Sequence, residues 1–380
     1  MRKIIGINSL GYNQLRNIAG LPYSNYQVKK VYDFYKIPNH LHFKIKKTSD
    51  QYYLNSFNDF GLNKVDILHF FNAVNYGNKP WLTTSEYIIP RYFSNKKSCT
   101  KKGLDTLLKP NFKKLISMSN AAHQHQLNFM KENFPEYYNE VAPKMMVLLP
   151  SQKKLLNSID EKTANPNYLT FTIVASTSFF GKGGREILTA FDVLLQKNYS
   201  LKLNIISKFE YGDWASKTTK EDYDNALKII EKYPNNIKSY NYLENSKVLQ
   251  MFKETNIGLL PTYADTFGYS VLESQANGCP VISTNVFAIP EINNNQLGWM
   301  IEVPKIENLN AKIQTEEDIK LFSKTIQEGL IHHIENIYNN PQIITEKAKL
   351  CLLHIAENHN PQKNASITES IYDNILNNKL

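Results

Sequence analysis

"GLLPTYADTFGYSVLESQANGCPVISTNVFAIPE", residues Gly258 to Glu291, is the stretch whose reading decides the fold of this 380-residue chain. The apolar run Ile257 to Pro261 has strand length, and Pro261 with the polar "TYAD" ends it. Gly268 marks a backbone position where a side chain would be in the way. Tyr269 to Asn277 has the length and composition of a helix, Gly278 stands where a helix takes its C′ residue, and Pro280 stops continuation. "PVIST" then has the branching of a buried parallel strand. The order is strand, acidic loop, glycine, helix, turn, strand.

This order predicts the amides of Phe267, Gly268 and Tyr269 at a helix N-terminus, where backbone donors and the helix dipole favour an anion. Asp265 precedes that terminus. At ~1.5 Å rise per residue, Glu273 sits roughly one turn inside the helix. Two carboxylates flanking a phosphate site suit a ligand with a hydroxyl-rich group on each side of a diphosphate, the shape of a sugar nucleotide.

The segment "ADTFGYSVLESQANGCPVIST" resembles the E-x7-E segment of the retaining GT-B glycosyltransferases, especially glycosyltransferase family four. The family pattern E-x-F-G-x-x-x-x-E-A-x-A-x-G-x-P-V-I is met at Phe267, Gly268, Glu273, Ala276, Gly278, Pro280, Val281 and Ile282. It is broken at Asp265, where Glu is usual, and at Ser274, where Ala is usual. The resemblance implies that Asp265 contacts the donor sugar and Glu273 the nucleotide ribose, with Phe267, Gly268 and Tyr269 lining the donor site.

Upstream, "YLTFTIVAS" reads as a strand and "TSFFGKGGREILTAFDVLL" as a glycine-rich turn entering a helix, a second N-terminal anion site. It resembles the family's G-R-x4-K-G segment at Lys182, Gly183, Leu188, Ala190 and Phe191. Lys182 is thereby expected to neutralise the donor diphosphate beside Gly183. The family's Arg is Thr177 here, and Arg185 is the candidate to compensate. Asp222 and Asp224 form a D-x-D, but in a charged helical run rather than after a buried strand, so they read as a solvated helix face and no metal site is expected.

Before residue 165 the pattern is again α/β. "KIIGINSLG" is a buried strand entering the turn at Gly11 without a dinucleotide fingerprint. "VDILHFF" and "KPWLTTSE" are strands whose ends carry His69, Asn72 and Glu86; ligands of open α/β sheets collect at such carboxyl ends. The family's "kP-x-V-x-T-x-H" resembles "KPWLTTSE", which puts Glu86 at a position lining the catalytic cleft, where His is common. His123 and His125 follow the strand "KKLIS" without a third ligand at metal spacing. Gly11, His69, Asn72 and His123 are therefore the acceptor-side candidates. Asp265, Lys182 and Glu86 are the catalytic ones.

The resemblance implies two Rossmann-like domains with a deep interdomain cleft and a C-terminal helix packing back on the first domain. The domains are expected at 1–160 (acceptor), 161–355 (nucleotide sugar) and 356–380 (crossing helix), with Ser151 to Asn167 as linker. It also implies a metal-independent, hexosyltransferase-type enzyme without a cofactor. Its donor is a nucleotide-diphosphate sugar, its acceptor a glycan or lipid-linked molecule, and its setting bacterial surface polysaccharide or lipopolysaccharide biosynthesis. A sugar-nucleotide epimerase of the same fold is the rival enzyme.

The net charge of +9 is uneven. Residues 1–165 hold 24 Lys and Arg against 11 Asp and Glu, and the remainder 20 against 24, so +13 faces −4. Such asymmetry suits a polyanion, either an anionic membrane surface or nucleic acid, but no nucleic-acid-binding signature accompanies it. Tyr92 to Lys114 interleaves Lys96, Lys97, Lys101, Lys102, Lys109, Lys113 and Lys114 with Tyr92, Phe93, Leu104, Leu107, Leu108 and Phe112. That mixture suits either a membrane-surface segment or a helix packed on its own domain. Three scattered cysteines give neither a disulfide framework nor a metal site. With no ~20-residue apolar span, a soluble cytoplasmic protein is expected, with the inner face of the plasma membrane as a peripheral location.

Overall fold

The computed structural model describes residues 2–46, 55–92 and 96–377. The chain forms two compact α/β units, one of Met1–Ser151 with His359–Leu380, the other of Gln152–Asn358. The divisions fall at 151/152 and 358/359 rather than at 160 and 355.

In the first unit the strands are β1 (Lys3–Ile7), β2 (Tyr26–Lys30), β3 (Ser56–Phe57), β4 (Ile67–Phe71), β5 (Val74–Asn75), β6 (Trp81–Ser85), β7 (Phe112–Ser117) and β8 (Met145–Val147). Six of them form one sheet in the order β2-β1-β4-β6-β7-β8, parallel throughout. Strands β3 and β5 pair separately. β4 and β6 are buried along their whole length, as strands covered on both faces must be. One side of the sheet packs Phe57, Phe70, Trp81, Leu104, Leu107 and Phe112. The other packs Ile5, Ile67, Leu82 and Ile116 against Tyr372 and Ile375 of the C-terminal helix Pro361–Leu376.

That last helix packs on the first unit, as the resemblance implied, and polar contacts fix it. Glu369 accepts from the amides of Ser24 and Asn25 at 2.8 and 2.7 Å. Tyr26 donates to Asp373, and the Asn364 amide to the Leu149 carbonyl at 2.7 Å.

Most of the described apolar residues of Tyr92 to Lys114 pack within the first unit. Helix Lys97–Leu108 buries Leu104 and Leu107, and Phe112 is buried at the start of β7. Leu108 is exposed, and Phe93 lies outside the described residues. The amphipathic helix turns Leu104 and Leu107 into its own sheet, while Leu108 and its lysine face meet solvent.

The second unit carries β9 (Leu169–Ser176), β10 (Leu201–Ser207), β11 (Ile237–Tyr240), β12 (Ile257–Leu260), β13 (Val281–Thr284) and β14 (Trp299–Ile301). They form a parallel sheet in the order β11-β10-β9-β12-β13-β14. The chain adds β10 and β11 on one side of β9, then returns to place β12 on the other. The strand order thus reverses between β9 and β12, and open α/β sheets bind ligands at such a point.

The expected linker is a docked strap instead. The Leu155 amide donates to the Ala276 carbonyl at 2.9 Å and Leu156 is buried. Lys162 Nζ donates to the carbonyls of Phe252, Thr255 and Asn277 at two helix C-termini, where a cation meets the negative dipole end.

Candidate functional site

The turn after β9 and the loop after β12 are drawn together by missing side chains. Gly183 has φ +82°, and a Cβ there would lie 2.2 Å from the Pro261 carbonyl oxygen. The Tyr263 amide donates to the Gly181 carbonyl at 3.0 Å. Only glycine lets these backbones approach so closely.

The approach brings Lys182 to Asp265. Lys182 Nζ donates to Asp265 Oδ2 at 2.7 Å and to the Ala264 carbonyl at 2.9 Å. Burial of Asp265 would raise its pKa, but Lys182 and the Phe267 and Gly268 amides lower it below the ordinary carboxylate value. The pair is a half-buried, opposite-charge contact at the switch point, not two separate groups awaiting ligand.

Gly268 caps helix Tyr269–Ala276 at φ +92°, and a Cβ there would strike Ile289 Cδ1 at 2.6 Å. Two of the expected amides already serve Asp265: Phe267 N–H donates to Asp265 Oδ1 at 3.0 Å, and the Gly268 amide bears on the same carboxylate. The Phe267 ring is buried and lies 5.5 Å from that of the half-buried Tyr269. Phe267 therefore supports the terminus from beneath rather than facing a ligand.

Glu273 is 6 % exposed and accepts from Asn245 Nδ2 at 3.3 Å. Asn245 opens helix Asn245–Glu254, just beyond the turn after β11. Asn277 Nδ2 donates to the Glu273 carbonyl at 3.0 Å and steadies that helical turn. Asn245 escaped the sequence reading because an asparagine starting a helix is ordinary; only its spatial neighbour singles it out.

Arg185 does not join Lys182. Its guanidinium donates to Glu186 Oε1 at 2.9 Å, Asp222 Oδ1 at 3.1 Å and the Tyr263 hydroxyl at 3.2 Å. Burial works against its charge, but the Glu186 carboxylate outweighs that and raises its pKa. Each guanidinium nitrogen has one partner here, which directs Arg185 to Glu186, Asp222 and Tyr263 rather than to Lys182. Asp222 is accordingly more than a solvated face: it closes a capping box with Thr219 and pairs with Arg185. Asp224 pairs with Lys220 on the same helix.

In the first unit, parallel pairing sets the ends of β1, β4, β6 and β7 side by side on the carboxyl edge. Gly11, Asn72, Glu86 and His123 follow those ends in that order. Asn72, at φ +57°, and Glu86 are locked together: Asn72 Nδ2 donates to Glu86 Oε1 at 3.1 Å, and the Glu86 amide to Asn72 Oδ1 at 3.2 Å. Arg91 forms an ion pair with the same carboxylate. The sequence reading missed Arg91, which lies five residues on, beyond Pro90. Gly11 is exposed and caps a short helix, its amide donating to Ser9 Oγ at 3.1 Å. His123 is half-buried, its Nδ1 has no hydrogen-bond partner, and burial lowers its pKa.

His69 is not on that edge. It is 1 % exposed within β4, Nδ1 meets the Tyr372 hydroxyl at 2.7 Å, and Nε2 meets Thr84 Oγ1 at 2.9 Å. Burial holds its pKa down to about 3. Strand alternation turns position 69 into the sheet face covered by the C-terminal helix, so His69 is a neutral core tether, not an acceptor ligand.

Comparison with known proteins locates the chain among related folds. Residues 157–328 match the family described as Glycosyl transferases group 1. The chain is similar to the capsular polysaccharide biosynthesis glycosyltransferase CapM of Staphylococcus aureus, 26 % identical over 167 residues, covering 44 % of this chain and 41 % of that protein. It thus spans less than half the length of the curated relatives it matches. Among solved structures, a glycosyltransferase from Rickettsia africae superposes with a TM-score of 0.60 at 15 % identity, covering 99 % of this chain and 98 % of that one. Anabaena Alr3699/HepE in complex with UDP superposes with a TM-score of 0.61 at 12 % identity, covering 98 % and 100 %. At these identities the structures establish the fold, and it is the GT-B fold with two Rossmann-like units.

Proposed function

We propose that this chain is a glycosyltransferase that moves a sugar from a nucleotide-diphosphate sugar to a glycan or lipid-linked acceptor in surface polysaccharide or lipopolysaccharide assembly. The observation that carries the reading is the Lys182–Asp265 pair at the switch point of the second unit, with Glu273 on the helix that follows. The pair is a ready-made exchange site. A diphosphate arriving at the turn offers Lys182 a new anionic partner, and Asp265 is then released to accept from sugar hydroxyls. Glu273 and Asn245 stand together where a ribose would present paired hydroxyls. The match over residues 157–328 and the UDP complex of the Anabaena protein support a uridine nucleotide as the first to try.

Chemically, departure of the nucleotide develops negative charge on the diphosphate, which Lys182 and the N-terminus of helix Tyr269–Ala276 would stabilise without a metal. Retention at the anomeric carbon is part of the proposal, with the leaving phosphate helping to take the acceptor proton. On the first unit, Glu86, held by Asn72 and Arg91, is the carboxylate assigned to orient the acceptor hydroxyl. A peripheral cytoplasmic position, on the inner face of the plasma membrane, suits a lipid-linked acceptor.

Thermal unfolding with UDP, GDP, ADP and their sugar conjugates tests the donor site, since a ligand at 100 Kd adds about 2.7 kcal/mol of stability. Stabilisation by one nucleotide series, lost in Glu273→Ala, is the expected result; no shift with any nucleotide overturns it. Sugar release that requires an added acceptor supports transfer, whereas isomerisation of the sugar nucleotide alone assigns an epimerase.

A further inference from the structure

The first unit carries an apolar surface that its own core does not use. Helix Lys36–Lys46 exposes Ile37, Leu41 and Ile45, at 59, 53 and 78 %. At ~100° per residue these three positions form one continuous row along the helix. Lys36, His40 and Lys44, also exposed, form a second row directly beside it. An aliphatic row flanked by a cationic row is the pattern of a helix lying in a membrane interface.

Just before the helix the chain meets a loop that carries further exposed apolar residues. Phe34 donates its amide to the Asn58 carbonyl at 3.0 Å, and its ring lies 5.6 Å from that of Phe60. Phe60 and Leu62 are themselves 68 and 69 % exposed. Tyr32, at 83 %, is tied by its amide to Asn63 at 3.0 Å. Exposed apolar residues gathered on this scale mark an interaction surface rather than scattered surface chemistry.

Charge selects the partner. Lys30, Lys36, Lys44 and Lys64 are exposed around the patch. Among the described residues the nearby acids are turned inward: Asp33 accepts from the Tyr35 and Asn58 amides, and the fully buried Asp59 from Gly61 and Asn63. A second copy docking through the same face would bring two lysine rims together, which opposes association. An anionic bilayer takes up the aliphatic row and neutralises the rim at once.

We propose that helix Lys36–Lys46 and the Phe60–Leu62 loop dock this protein on an anionic lipid surface, with Ile37, Leu41 and Ile45 inserted among the acyl chains. This docking does not depend on the reaction assigned to the second unit.

The test is co-sedimentation of the full chain with vesicles of phosphatidylglycerol and phosphatidylcholine in equal parts, and with phosphatidylcholine alone. Binding to the anionic vesicles only is expected. The exposed triple variant Ile37→Ser, Leu41→Ser, Ile45→Ser should lose about tenfold or more in partitioning. Lys30→Gln with Lys44→Gln should weaken binding and flatten its salt dependence. UDP-induced thermal shifts should stay the same in both variants, so loss of the donor site and loss of docking are read separately. Wild-type protein that ignores anionic vesicles, or a serine variant that binds like wild type, overturns the proposal. So does a concentration-dependent dimer that the serine variant abolishes, which would assign the face to a second copy.

Discussion

Lys182 Nζ and Asp265 Oδ2 lie 2.7 Å apart, joined across the turn after β9 and the loop after β12. In the proposed function, the lysine assigned to the diphosphate and the carboxylate assigned to the sugar hold each other in place. Lys182→Met should weaken nucleotide diphosphate binding by roughly tenfold or more, since a charge-assisted hydrogen bond contributes about 1.5–3 kcal/mol. Asp265→Ala should abolish most turnover while bare UDP binds as well as, or better than, in wild type, because Lys182 is released. Calorimetry in which both variants bind UDP equally weakly would contradict this division.

Asn245 Nδ2 donates to Glu273 at 3.3 Å, and in the proposed function the two form the other half of the donor site. Glu273→Ala and Asn245→Ala should each lower affinity for the bare nucleotide, by about 1–2 kcal/mol for a lost hydrogen bond. Nucleoside monophosphate and diphosphate should suffer alike, since the contact is to ribose. A loss confined to the sugar conjugate would move these residues to the sugar side.

Glu86 accepts from Asn72 and pairs with Arg91 on the first unit. Glu86→Gln should cut turnover by roughly 10²-fold, the scale of a positioned acid–base group. UDP affinity should not change, because the nucleotide contacts lie on the second unit. A variant with normal turnover relegates the cluster to holding the loop after β6.

Metal independence has a direct check. Transfer should proceed in EDTA at the wild-type rate, with Lys182 and helix amides carrying the leaving-group charge. Activity lost in EDTA and restored by Mn²⁺ would refute that part of the mechanism.

His69 predicts acid sensitivity of the first unit. In the unfolded chain the imidazole titrates at about 6.5, whereas burial holds it down to about 3 in the folded state. Between those values the unfolded chain binds a proton that the native state does not, so stability falls as pH drops, by at most ~1.4 kcal/mol per unit. His69→Gln should be less stable at neutral pH, losing its bonds to Tyr372 and Thr84, yet lose less on acidification. Parallel melting-temperature profiles for the two proteins would count against this assignment.

Local sequence alone placed the strands around Gly258 to Glu291, the helix from Tyr269 and the glycine turn at Gly183, because each is specified by neighbours within a few residues. Apolar runs of strand length, a glycine at positive φ and a proline after a helix act on their own backbone, wherever the rest of the chain lies. The same signals drew attention to Asp265 and Glu273, while the family resemblance pointed to Lys182 and to the final helix.

Tertiary structure decided what each side chain meets. Arg185 meets Glu186 on its own helix and Asp222 and Tyr263 from two other elements. His69 became a core tether because a helix some three hundred residues later covers its face. The apolar side of Lys97–Leu108 went inward because its own sheet supplied a partner, while Ile37, Leu41 and Ile45 stayed outside. Periodicity fixes which residues share a face, but burial depends on long-range packing that no local pattern encodes.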